Sequence, residues 1–211
     1  MESMLRWRPE AARFRHRDSL LEKSLPGADL ALEACALVDL SVAEALARAR
    51  QAGRAPACGA GCAACCCQPI PLTPLEALLL ARYAHLRLRP EERAALALPP
   101  LRRNCPLLLD GRCTAYVVRP LACRRYLVLD RSCAPGEDAA SSRPADLLLP
   151  DPGLLAAALL RTLPWYVRRP GCPLPPRSSD PAAARRFFRS VTTVIQALPW
   201  GKELAQEDGV A

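Results

Sequence analysis

The chain has 211 residues and is 51% hydrophobic, which is enough for one packed core with appendages and excludes wholesale disorder. Three Trp, four Tyr and three Phe leave that core to Leu, Ala and Val, and 22 prolines predict short elements joined by stiff loops. The net charge of +8 is carried by arginine, Lys23 and Lys202 being the only lysines. A basic balance suits nucleic acid or an acidic partner, but arginine offsetting the charge of clustered thiolates suits this chain better.

Residues 1–27 read as an N-terminal arm or an early helix, rich in Arg and Glu and broken at Pro9 and Pro26. The Arg-rich stretch Arg6 to Arg17, with Trp7 and Phe14 between the charges, is more simply a solvated arm than a nucleic-acid contact. No apolar segment follows the charged start Met1–Arg8, and no run of about eighteen apolar residues occurs. A reducing, cytoplasmic setting without membrane contact is expected, where clustered cysteines mean metal or redox chemistry more often than disulfides.

A helix is predicted from Asp29 to Gln51, with Leu30, Cys35, Leu37, Val38, Val42 and Leu46 at helical spacing and Gly53 closing it. Residues 54–71 then change character: small residues, five cysteines within ten positions, and Pro69 and Pro71. Thr73-Pro74-Leu75-Glu76 reads as a capping box with Pro at the first helical position. That helix should reach about Leu86, with Leu75, Leu78, Leu79 and Arg82 or Tyr83 on its inner face. A short helix is expected from Pro90 to Pro99-Pro100. Asp110-Gly111 predicts a tight turn between two extended pieces. A Pro- and Ser-rich connector covers 134–150. Asp151-Pro152 and Asp180-Pro181 start helices expected to end at Leu163 and about Leu198, and the tail after Trp200 should fray. The expected fold is mostly α, a small helical domain around a loop-built cysteine cluster with at most a short hairpin. It divides into the arm at 1–27, a cysteine-cluster domain with its preceding helix at 28–133, and a helical extension at 134–211 packed on the same domain.

The first cysteine group is Cys58, Cys62, Cys65, Cys66 and Cys67. A metal needs its ligands gathered around one point, with Zn–S distances of about 2.3 Å. A helix would put Cys58, Cys62, Cys65 and Cys66 on one face, and a loop would use Gly59 and Gly61 to wrap the ion. In the helical case Cys67 points away and ranks lowest as a ligand. The second group is Cys105, Cys113, Cys123 and Cys133, with Arg119-Pro120 before Cys123 and Arg124 after it. Arginine beside a thiolate lowers its pKa and donates hydrogen bonds to it, which makes Arg119 and Arg124 candidate charge partners.

Taken in order, the strings at Cys58, Cys62, Cys65 and Cys66, then CPLLLDGRC from Cys105 to Cys113, then Tyr116, Arg119, Pro120, Cys123 and Arg124, resemble the YkgJ-type cysteine-cluster family. This is a zinc- or iron-chelating domain named for its CxxCxxCC motif. The capping-box helix beginning at Leu72–Glu76 also falls where that family places its ls-x-E segment. The first gap here is three residues instead of two, and Cys67 lies outside the pattern. The resemblance implies metal binding; one larger relative type is a flagellin lysine methylase, so the resemblance admits protein methyl transfer without supplying a reaction for this chain. All-sulfur ligation suits zinc and iron–sulfur clusters alike, and the density of the first group favours the cluster. Whether the chain is an enzyme stays open, with a cluster-dependent methyl transferase or a thiol redox relay as the alternative to a metal-chelating protein. A protein partner is compatible with either.

Other features carry plainer readings. Cys35 and Cys172 stand outside the clusters and read as ordinary buried thiols. Cys62-Ala63-Ala64-Cys65 has redox-pair spacing but lacks the strand and helix such pairs need. Gly59–Ala64 imitates a dinucleotide fingerprint with no strand leading into it. His16 and His85, the only histidines, have no ligand-like spacing to the cysteines.

Overall fold

The computed structural model describes residues 9–59, 61–98, 104–167, 169, 171–176 and 180–202. Arg6, Trp7, Pro99-Pro100 and the tail from 203 lie outside the described residues.

The chain enters through a 3-10 turn at Pro9–Phe14 and helix α1 (Ser19–Ser24). Asp18 caps α1 by accepting from the Leu20 and Leu21 amides at 3.1 Å, and Leu21 is fully buried. Helix α2 (Ala28–Gln51) is the centre of the molecule. Gly27 before it has φ +90, and a Cβ there would stand 2.4 Å from the Trp165 ring, so only glycine lets the chain turn so close to that indole. Residues on most faces of α2 are buried, and two apolar clusters divide them. Ala31 and Leu32 face one cluster, while Leu37, Val38 and Leu40 face the other, with Leu129, Leu148 and Ala158. Each fully buried Leu stabilises the fold by about 1.5–3 kcal/mol. Gly53, at φ +74, follows the helix end as expected.

Strand β1 (Pro71–Leu72) leads to helix α3 (Pro74–Arg87), whose capping box forms as predicted. Its buried face is wider than expected, with Ala77, Leu80, Ala81 and Ala84 joining Leu75 and Leu79, while Leu78, Arg82 and Tyr83 are half-buried. Helix α4 (Pro90–Ala97) follows. The Asp110-Gly111 turn joins β2 (Leu108–Leu109) to β3 (Arg112–Cys113), both turn residues having positive φ, 48 and 74. Helix α5 (Leu121–Arg125) carries Cys123. Within the 134–150 connector lie α6 (Ala139–Ser142) and a 3-10 turn at Pro144–Asp146.

Two helix ends differ from expectation. Helix α7 (Pro152–Val167) runs past Leu163 and through Pro164. A proline inside a helix forfeits a hydrogen bond and crowds the preceding turn. Here Trp165 and Tyr166 are 7% and 0% exposed, and they stack edge-to-face with each other and, through Tyr166, with Phe187 and Phe188. That burial outweighs the lost bond. Helix α8 (Pro181–Val191) ends well before Leu198. The β-branched residues from Val191 to Ile195 favour extended backbone, the Thr192 hydroxyl donates to the Phe188 carbonyl at 2.6 Å, and β4 (Thr193–Val194) pairs antiparallel with β1. The fold is therefore mostly α, with two short two-stranded ladders among the described residues. No helix among them is long and apolar enough to cross a membrane.

Candidate metal centre

Three extended segments frame one side of the cysteine region. The Ala57 amide donates to the Val128 carbonyl at 2.8 Å and that of Asp130 to Ala55 at 2.7 Å, while Leu129 and Leu148 bond to Asp146 and Leu127. This pairing holds Cys58 against the Val128 amide, which donates to its sulfur at 3.3 Å. From there the chain forms a loop, not an α-helix: Gly61 takes φ +81, the Cys62 amide bonds back to Gly59, and Ala64–Cys67 make a single 3-10 turn. The loop alternative is thus the one the fold uses.

A backbone hydrogen bond of 2.7 Å from the Cys105 amide to the Cys66 carbonyl joins the two cysteine groups directly. Around that junction lies a cavity of about 430 Å³ whose wall includes Cys58, Cys62, Cys65, Cys66, Cys105, Cys113 and Cys123. Cys133 is not in the wall, but its charge is felt at Cys58, and that of Cys62 is felt at Cys133. Cys67 turns away and donates its S–H to the Ala64 carbonyl at 2.9 Å. Cys35 is buried in α2, and Cys172 is half-buried outside the cavity. Neither histidine borders the cavity.

The lower segments of the chain hold this wall in place from behind. Ile195 donates to the Ile70 carbonyl at 2.9 Å, and the Gln196 side chain brackets Ile70 and Gln68, so the segment leaving the cysteine loop is tied to the C-terminal strand. Glu76 does the same for α5. Its carboxylate accepts from the Thr73 amide and hydroxyl and from the Leu121 amide, each at 2.8 Å. Burial raises the Glu76 pKa, and these donors and Arg124 pull against that rise.

Burial disfavours the thiolate at several of these cysteines. It pushes Cys105 up to about 11 and raises Cys58, Cys113 and Cys123. Cys65 is raised by a hydrogen bond shared with Cys66 and then by burial. Donors aimed at the sulfurs oppose this. The amides of Leu107 and Leu108 favour the thiolate at Cys105, that of Ala115 at Cys113 and that of Val128 at Cys58. Among the described residues, no three potential ligands already stand at coordination spacing. The donor chemistry nevertheless fits zinc or iron: sulfur ligands around one space, with N–H groups placed to share thiolate charge.

The two expected charge partners are placed differently. Arg119 stacks its guanidinium on Tyr116 at 4.0 Å, donates to the Tyr116 carbonyl, and its charge reaches Cys113. Arg124 borders the cavity but is 1% exposed and spends its donors on Asp39 at 2.6 Å and on the Arg119 and Val117 carbonyls. It therefore anchors α5 to α2. Its hydrogen bond and field reach Cys35 instead. Arg143 had no signal in the sequence, lying in a Ser- and Pro-rich connector. It is 8% exposed, is held by Glu137 at 2.7 Å and Asp146 at 2.9 Å, and brings Nη2 to 3.5 Å from the Cys133 sulfur.

A helical scaffold with a thiol-walled cavity built from two chain segments defines a cysteine-cluster domain. Residues 57–139 match the model of the CxxCxxCC family, described as a putative zinc- or iron-chelating domain. The match covers less than half of the chain and leaves α2, α7 and α8 outside it. Comparison with curated proteins and with solved structures found no match.

Proposed function

We propose that this chain is a metal-chelating protein that holds zinc or an iron–sulfur cluster through Cys58, Cys62, Cys65, Cys66, Cys105, Cys113, Cys123 and Cys133. The observation that carries this reading is the single cavity shared by seven of these thiols, with the two groups hydrogen-bonded through Cys66 and Cys105. Bound zinc would supply a cross-link between the segments, and a bound cluster would supply electron transfer. The protein's own part is to lower the cost of thiolate formation. Leu107, Leu108, Ala115 and Val128 do so with amides, and Arg143 does so with a guanidinium. Arg119 adds charge beside Cys113, while Arg124 keeps the α5 ligand in position.

One observation favours a second reading, a cluster-dependent enzyme for protein methyl transfer or thiol redox relay: Cys62 is exposed and the cavity opens to solvent, as a centre with an open coordination position requires. Anaerobic purification with metal and sulfide analysis and a visible spectrum tests the assignment. A brown protein containing iron and sulfide identifies a cluster, and a colourless protein with stoichiometric zinc identifies a chelated ion. Protein that binds neither after reconstitution contradicts the proposal.

A further inference from the structure

A second cavity, of about 390 Å³, lies on the other side of α5 from the thiols. Leu121, Ala122 and Arg125 of α5 line it, whereas Cys123 and Arg124 line the cysteine cavity. Its size falls within the roughly 300–1,000 Å³ of small-molecule sites. Leu72 of β1, Leu155 and Leu159 of α7 and Phe188 of α8 make an apolar wall. Three arginines share the same wall: Arg125 from α5, and Arg185 and Arg189 one turn apart on α8. Like charges at that helical spacing repel, and Arg125 brings a third cation to the cavity wall from another element.

Arg54, Arg87, Arg143 and Arg161 each meet a carboxylate. Among the described residues, Arg125 and Arg189 have no ion pair or hydrogen bond, and Arg185 has only the field of Asp180 at the start of its helix. The one carboxylate in the wall, Glu76, cannot serve them, because its oxygens accept from Thr73 and Leu121.

We propose that this cavity binds a small amphipathic anion, a carboxylate or phosphate head on an apolar body. The head meets Arg125, Arg185 and Arg189, and the body lies against Leu121, Leu159 and Phe188. Guanidinium groups match either head with paired N–H donors. The site is independent of whether the thiols hold metal.

Calorimetric titration of the full chain, with whatever metal it carries on purification, uses octanoate and octyl phosphate as probes and octanol as the neutral match. The expected result is one site per chain for at least one of the two anions, with octanol weaker by about tenfold or more. R185Q and R189Q should each weaken the anion by roughly the same factor, and R125Q likewise, with far-UV circular dichroism unchanged. R186Q, on the same helix but outside the cavity, should leave binding as it was. The proposal is overturned if neither anion binds, if octanol binds as well, or if R186Q weakens binding as much as R189Q.

Discussion

At the scale of single residues, the cysteine centre is a contest between burial, which keeps a thiol protonated, and donors that favour its thiolate. Arg143 is the clearest such donor, since Glu137 and Asp146 fix its guanidinium before any metal arrives. Removing a group that orients or stabilises a metal ligand typically costs 10–100-fold in affinity, so R143Q should weaken metal binding by about that factor. In a C133S background the same change should do little more, because the partner sulfur is gone. Zinc competition titrations of the single and double variants check this, and fully additive losses would show that Arg143 acts only on the fold. Away from the centre, Asp18 links α1 to α3 by capping one and accepting three hydrogen bonds from Arg87. Burial raises its pKa, but the Leu21 amide and Arg87 together outweigh that and leave it lowered. Its contribution to stability is therefore complete above the ordinary aspartate range and is lost as pH falls through its own lower value. D18A should cost about 1 kcal/mol at neutral pH, with a smaller difference in acid, read from urea melts at two pH values.

At the scale of elements, local chemistry was legible wherever it decided the outcome. Thr73-Pro74-Leu75-Glu76 starts a helix because cap, proline and Glu all serve the same first turn, and Asp110-Gly111 makes its hairpin because both residues tolerate positive φ. What could not be read is what distant partners decide. Thr193–Val194 becomes a strand because Pro71–Leu72 is there to pair with it, and Pro164 stays inside α7 because Trp165 and Tyr166 have a place to be buried. Around the cysteine cavity, the clustering of the cysteines and the family pattern were legible, but Arg143 and the Val128 amide were not, since they reach the sulfurs only through tertiary pairing. Ile195 shows how far this matters: it is fully buried, borders the cysteine cavity and bonds to Ile70. I195A should destabilise the protein by about 2–5 kcal/mol. It should also speed metal release to a chelator, because the exit of the cysteine loop loses its support. Unchanged release would detach β4 from the metal centre.

At the scale of the whole molecule, α2, α7 and α8 form a frame outside the family segment, and the cysteine segment is fastened to it by the Arg124–Asp39 ion pair to α2 and by the pairing of β1 with β4, which follows α8. A ligand bound only by the folded state stabilises it by mass action, about 2.7 kcal/mol at a hundred times its dissociation constant. Chelator treatment should therefore lower the melting temperature of wild-type protein and have little effect on C123S. The most direct measurement is cysteine alkylation mapped by mass spectrometry before and after chelation. Thiols of the early loop and of the 105–133 segment should be protected together and released together, with Cys172 labelled alike in both states. Protection of one segment alone, or of neither, would contradict a centre shared between them.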